Sequence, residues 1–304
     1  MIDCIVIGCR HNTVEFINTM LKNSIPVDGV ITIDESVSKK ANVSGFVNLA
    51  KYIPGNIPIY KVQSYSMSAK EDFFLLSKLR YRVGFCIGWQ RLIPEWFLNQ
   101  AEVGVFGMHA SRYYLPGGRG RSPINWSIIE GANKIHATVF KYAIKADEGE
   151  ILDIYDIDIT QFDTIHSVQQ KCRITFNRII KKHYSNLWLN KLPNIEFPQD
   201  KSSWYEIRTP QSGHINWYNK VQDIYNFIRS QTKPYPGAFA LLNQKEYRIW
   251  SGYPFGNKIK YNNIKPGTIL EVFFNGNLLI QCKDNPIYIT DHELFNVNVG
   301  NILL

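Results

Sequence analysis

The apolar positions of this chain fall into short blocks that alternate between compact runs and helical spacing. Ile2–Ile7 is an apolar run ending at Gly8, and Val14–Leu21 follows with apolar residues at helical intervals. Val27–Ile33 and Ile57–Val62 read as the second and third strands, and Phe73–Leu79 as a helix. Arg82–Ile87 is a buried strand that runs into the corner Gly88-Trp89-Gln90-Arg91-Leu92-Ile93-Pro94. Another apolar run, Val103–Met108, ends at His109 and opens a loop rich in Gly, Pro and Arg. Ser122 stands at an N-cap, Pro123 at the first helical position and Gly131 just past the end, which predicts a helix over Ile124–Glu130. Ile135–Ile144 then reads as extended and delivers the acidic corner Asp147-Glu148-Gly149. This order predicts a mainly parallel sheet covered by helices on both faces. It puts His109 and Asp147 at the ends of two strands of one sheet, where α/β folds concentrate their chemistry.

Ile154–Ile159 continues as an extended run. From Asp163 a long amphipathic helix is expected, with Ile165, Val168, Cys172, Phe176, Ile179 and Ile180 on one face. Lys171, Arg173, Arg178, Lys181 and Lys182 lie on the other face, which reads as a solvated surface. Asn190–Ser203 loses periodicity and gains prolines, the pattern of a linker. A second domain follows, with a helix carrying Val221, Ile224, Tyr225 and Ile228 and ended by Pro234-Tyr235-Pro236-Gly237-Ala238. Short strands come next at Phe239–Leu242, Tyr247–Ser251, Ile269–Phe274 and Leu278–Cys282, with Asn275-Gly276 as a hairpin turn. The expected division is residues 1–190, a linker over 191–203, and a smaller β-rich domain over 204–304.

Composition narrows the class. At 304 residues, 45% hydrophobic and 20% charged, the chain is globular and has room for a sizeable core. No apolar stretch is long enough for a membrane span, and the N-terminus lacks the basic segment of a signal peptide, so a cytoplasmic protein is expected. The five cysteines are scattered without a C-x-x-C pair and read as reduced core thiols, so no metal site is expected. A net charge of +8 suits anionic partners such as nucleic acid, a nucleotide-linked sugar or a polyglutamylated folate, although scattered surface lysines are the simpler account of it. Gly8 alone does not make the dinucleotide fingerprint.

The chemistry enters through a set of separated words in fixed order: His109-x-Ser111, Leu115-Pro116, Arg119-Gly120, a Trp126-bearing helix ending at Gly131, and Ala146-Asp147-x-Gly149. These resemble the folate-dependent formyltransferase family, which includes methionyl-tRNA formyltransferase, glycinamide ribonucleotide transformylase and sugar N-formyltransferases. Arg208-x-Pro210, Gly213-x-Ile215-x-Trp217, Ile228-Arg229 and Pro234-x-Pro236-Gly237-Ala238 carry the resemblance through the C-terminal part. It implies a Rossmann-like catalytic domain, a C-terminal OB-like barrel, and 10-formyltetrahydrofolate as co-substrate. His109 and Asp147 are then the catalytic pair. Gln90, Arg91 and Leu92 line the folate pocket, together with Ala143, Ala146 and Asp147. Ser111, Tyr113, Arg119 and Arg121 fall on the acceptor side; for the two arginines, meeting phosphate oxygens and folding the loop are equally good roles.

The acceptor is narrowed by Asp34–Ala41, a short stretch of mixed charge that makes a poor tRNA clamp. The wording from Gly118 to Trp126 looks more like sugar N-formyltransferases. The expected acceptor is therefore a nucleotide-linked deoxyamino sugar, best a 4-amino-4,6-dideoxy sugar for a surface glycan. Formylation of methionyl-tRNA is the alternative, and the only reading with a nucleic acid partner. A non-catalytic folate- or nucleotide-sugar-binding relative is a further alternative. No membrane partner is expected, and a homodimer is left open. One position departs from the family: the Asn expected two residues before the His is Gly107. A water or backbone N–H, a nearby side chain such as Asn125, or loss of activity would each account for it.

Overall fold

The computed structural model describes residues 2–193, 196–233, 235–256, 261 and 263–304. Asn194 and Ile195 of the expected linker, and Pro234 of the expected helix stop, lie outside the described residues. The chain forms two compact units. The first comprises Met1–Arg119, His136–Asp156 and Lys171–Trp204; the second comprises Gly120–Ile135, Ile157–Gln170 and Tyr205–Leu304.

The strands up to residue 158 are β1 (Ile2–Ile7), β2 (Gly29–Ile33), β3 (Ile59–Val62), β4 (Tyr81–Cys86), β5 (Ala101–Ser111), β6 (Arg119–Gly120), β7 (Lys134–Lys141) and β8 (Ile151–Asp158). Seven of them form one sheet in the order β3-β2-β1-β4-β5-β7-β8. The first five strands of that order run parallel, and β7 returns antiparallel to β5. The helices are α1 (His11–Lys22), α2 (Glu35–Lys40), α3 (Lys70–Leu76), α4 (Glu95–Leu98), α5 (Pro123–Ile129), α6 (Ile165–Trp188) and α7 (Val221–Arg229).

Period-2 alternation explains why the parallel strands read as unbroken apolar runs: each feeds two cores. Cys4 and Val6 of β1 pack on one face with Phe16, Ile17 and Met20 of α1 and Phe176, Ile179 and Ile180 of α6. Ile5 and Ile7 point the other way, with Val37 of α2 and Leu76 of α3. The strand order doubles back at β1, so its neighbours β2 and β4 lie on opposite sides. That switch point lies at the C-terminal ends of β1 and β4, the place where open α/β sheets bind their ligands.

In the second unit, β10 (Ala238–Leu242), β11 (Lys245–Pro254), β12 (Ile269–Val272), β13 (Leu278–Gln281) and β14 (Pro286–His292) follow the two-residue strand β9 (Trp204–Tyr205). They form an antiparallel sheet in the order β10-β11-β14-β13-β12, bent by register shifts near Ser251. Val221, Ile224 and Ile228 of α7 pack against Ile249, Ile280 and Ile289 of this sheet. The amide of Asn125 donates to the carbonyl of Ser230 at 2.6 Å, capping the end of α7. That use of the amide in the second unit leaves Asn125 a structural residue.

Several boundaries differ from the sequence reading. His109 lies inside β5, two residues before its end, because the apolar run continues through Ala110 into the ladder with β7. Asp147 lies in the loop after β7, which stops at Lys141. Ser122 does precede α5, but it adopts a left-handed conformation (φ 60°) and makes no side-chain cap bond. A capping hydroxyl reaches the helix N–H groups from extended backbone, so Pro123 is the start signal that holds. Strand β14 is an element the sequence reading lacks; its Pro286 occupies the first strand position, where proline is tolerated.

Phe16 anchors the first core, with its ring 5.4 Å from Phe85 and 5.2 Å from Phe176. Phe16→Ala is expected to cost about 3–5 kcal/mol. The check is a fall in the urea midpoint of near-UV circular dichroism; an unmoved midpoint would mean that this cluster is not cohesive.

Candidate active site

The site is built where β5 leaves the sheet. On a strand, residues two apart share a face, so Gly107 and His109 look the same way. His109 is 5% exposed, and its Nε2 lies 3.0 Å from the carbonyl oxygen of Gly118. A carbonyl only accepts, so Nε2 carries the proton and Nδ1 is the position free to gain one. Nδ1 faces Asp147 Oδ1 at 3.6 Å, slightly beyond hydrogen-bond length.

Each partner of this pair is fixed by a glycine. Gly118 has a φ of +63°, and a Cβ there would overlap the Ser111 hydroxyl, so the loop closes tightly over β5. Ser111 is fully buried and accepts from the N–H of Tyr113 at 3.1 Å, which shapes the turn. On the other side, Ala143 donates to the Glu148 carbonyl and Lys141 to the Glu150 carbonyl. A Cβ on Gly149 (φ +137°) would overlap the carbonyl oxygen of Lys141. Asp147 itself has a φ of +53° at the tip of this loop.

Arg119 ties the two loops together. Its guanidinium donates to Glu148 at 2.8 Å and to Ser202 at 2.7 Å, and it stacks over Trp204. Of the roles open to it, folding the loop is the one the geometry fills. The segment read as a linker takes part as well: Asp200 accepts from the N–H of Tyr114, and Ser203 from the N–H of Gly118. Tyr113 has the Arg112 guanidinium over its ring, and Tyr114 stacks on His136 at 3.7 Å. His136 in turn bonds Asp156 at 2.6 Å. Arg121 is exposed and belongs to the second unit, as does Trp126, whose indole donates to the Glu206 carbonyl.

The corner after β4 lies at the switch point. Gly88 and Gly8 both sit so close to Thr13 that a Cβ on either would overlap its side chain or press on it. The Thr13 hydroxyl donates to the Ile87 carbonyl at 2.7 Å, and Arg10 donates to the Gln90 side chain at 2.7 Å. The N–H of Gln90 is held by the Tyr65 hydroxyl at 2.9 Å. Arg91 and Leu92 are therefore presented outward, with Leu92 58% exposed. Ala143 is exposed and Ala146 half-buried in the Asp147 loop.

Sequence reasoning missed Arg10, Tyr65, the Gly118 carbonyl and Tyr142. None carries a local signal, because each acts on residues distant in sequence or through its backbone. A Cβ on Gly107 would overlap the Tyr142 ring and hydroxyl, so that side chain fills the space beside His109. All five cysteines are free and buried. Among the described residues, no group of His, Cys, Asp and Glu is arranged to hold a metal ion. No helix among them is long and apolar enough to cross a membrane.

Comparison with known proteins follows the same geometry. Residues 2–181 match the formyl transferase family, and residues 208–297 match the formyl transferase C-terminal domain. The bifunctional polymyxin resistance protein ArnA of Wigglesworthia glossinidia brevipalpis is 33% identical over 287 residues. That alignment covers 94% of this chain but 42% of ArnA, so the chain spans less than half of that relative. An N-formyltransferase from Helicobacter canadensis, solved with folinic acid and dTDP-3-aminofucose, shares the fold at a TM-score of 0.65 and 20% identity. It is covered over 100% of its length and 96% of this chain. HypX from Aquifex aeolicus, solved with tetrahydrofolic acid, aligns at a TM-score of 0.64 and 14% identity, over 95% of this chain and 44% of HypX.

Replacing Arg119 with Leu removes the tie between the loops. Trypsin cleavage after the exposed Lys145 is expected to speed up about tenfold, the scale of one lost charge-assisted hydrogen bond. Unchanged cleavage would show that the Asp147 loop holds itself.

Proposed function

This chain belongs to the formyl transferase family, and we propose that it moves a formyl group from 10-formyltetrahydrofolate to the primary amine of a nucleotide-linked deoxyamino sugar. The observation that carries this reading is the pairing of buried His109 with half-buried Asp147, the Nδ1 of the imidazole being turned toward the carboxylate. The fit to a folate rests on the switch-point corner. It presents an exposed apolar residue, Leu92, on a rigid backbone, as an apolar pocket wall with placed polar groups requires. When bound, the folate supplies the formyl group at its N10.

In the transfer, the amine nitrogen forms a bond to the formyl carbon and the bond from that carbon to N10 breaks. The amine gives up a proton and N10 gains one. His109 takes the proton at Nδ1, where the Asp147 carboxylate stabilises the imidazolium, and passes it on. The Nε2 bond to Gly118 keeps the ring in the orientation that this exchange needs.

The choice of a sugar acceptor is supported by α2. This helix has only six residues, and Glu35 neutralises Lys39 through an ion pair of 2.8 Å. A tRNA acceptor stem would need unpaired cations there. A 4-amino-4,6-dideoxy sugar, as a precursor of a surface glycan, is the acceptor we favour.

The test is turnover. The protein is mixed with 10-formyltetrahydrofolate and a panel of UDP- and dTDP-linked 3-amino and 4-amino deoxysugars, beside charged initiator tRNA. Mass spectrometry then looks for one added formyl group. A formylated 4-amino sugar is expected, with a rate lowered about 10²–10⁴-fold by His109→Ala or Asp147→Asn. Product on tRNA alone would overturn the acceptor, and folate binding without any product would overturn the transfer itself.

A further inference from the structure

Acyl transfer needs more than a proton carrier. Negative charge develops on the acyl oxygen, and a site that accelerates the reaction aims a hydrogen-bond donor at it. His109 uses its Nε2 proton on the Gly118 carbonyl, so the donor has to come from elsewhere.

Position 107 offers no side chain, but its space is filled. The Tyr142 ring and hydroxyl lie where the first atom of a residue-107 side chain would be. That location faces the same way as His109, about 6.6 Å further back along the strand. The hydroxyl and the imidazole thus border the same face of β5. The Tyr142 hydroxyl bonds the thiol of Cys86, at the end of neighbouring β4, and it also feels the charge of Asp147. Phenol, imidazole and carboxylate are thus gathered at one end of one sheet.

We propose that the Tyr142 hydroxyl is a third catalytic group of this site. It donates the hydrogen bond that stabilises the acyl oxygen, and it does so from the space vacated by Gly107. The inference rests on the transfer reading above. No proton leaves the phenol: the O–H turns from the Cys86 sulfur, a weak acceptor, to the charged oxygen, a strong one. Burial, reinforced by Cys86, holds the phenol well above its ordinary pKa, so it stays protonated. Burial likewise pushes the Cys86 thiol up to about 12, which keeps a thiolate from competing for the donor.

Tyr142→Phe removes only the oxygen, and Gly107→Ala pushes the whole ring aside while the tyrosine stays in the sequence. Both are assayed with 10-formyltetrahydrofolate and whichever acceptor of the panel the wild-type protein formylates. Tyr142→Phe is expected to lower kcat about 10²–10³-fold. Both KM values should stay within about threefold, the mark of a group acting only in the transition state. Its thermal midpoint should stay within about 2 °C of the wild type. Gly107→Ala should lose rate to a similar degree and also lose stability.

A Tyr142→Phe protein with kcat within about threefold of wild type would overturn this inference alone, leaving the ring a packing element. A Gly107→Ala protein with normal kcat would overturn it as well. Wild-type protein with no turnover on any acceptor would overturn the transfer reading and this inference with it.

Discussion

The close approach of the 112–118 loop to β5 is the constraint on which the site depends. Gly118 comes so near Ser111 that no side chain fits, and only in that position does its carbonyl reach His109 Nε2. One hydrogen bond thereby sets the imidazole's tautomer, its rotation and the nitrogen left for chemistry. The loop is held from outside by the N–H bonds of Gly118 to Ser203 and of Tyr114 to Asp200. Arg119 then carries the constraint across to the Asp147 loop through Glu148. The His109–Asp147 pair has no helix or strand of its own on the Asp147 side, and these ties supply what such an element would otherwise provide.

The sheet supplies the rest. Parallel strands β1 and β4 end at the same edge, and their turns are stitched together by Thr13 and Arg10. Two glycines, Gly8 and Gly88, permit that contact. The corner that follows has its polar backbone partly satisfied from within, by Tyr65, and offers an outward apolar residue. On the proposed reading this surface meets the planar ring of the folate as an apolar wall with few, placed donors. Fixing the wall beforehand lowers the ordering cost on binding.

Much of this was legible in the sequence, and the part that was not has a common physical origin. Helices α1 and α6 and the central strands were readable because those strands are apolar on both faces and those helices on one, as Ile5, Val6 and Ile7 or Phe176, Ile179 and Ile180 show; the short helices α2 and α4 were not read. His109 and Asp147 were singled out through the resemblance carried by the words around them; the structure brings the two side chains to 3.6 Å, and one of those words, Gly149, answers a backbone demand. Residues 200–203 were read as a linker because hydrogen bonds to a distant loop leave no periodicity behind. Strand β14 was not read from the sequence at all, although its proline sits harmlessly at the strand start. Ser122 misled in the opposite direction, since its residue type suits a cap but its left-handed backbone does not.

Gly107 is the sharpest case of this difference. Read along the chain, it is a missing side chain; read across the sheet, the place is occupied by a residue 35 positions later. Antiparallel pairing sets Gly107 opposite Phe140, and Tyr142, two residues on, leans back over the gap. A sheet fixes places in space, and any strand bordering a place is able to fill it. The glycine and the tyrosine depend on each other for a steric reason: the ring cannot lie there over a larger residue, and without the ring the face beside His109 would be open. A side chain from just beyond the neighbouring strand can therefore occupy a place that looks empty along the chain. Comparing positions one at a time misses such an occupant, because the two positions are brought together only by the sheet register.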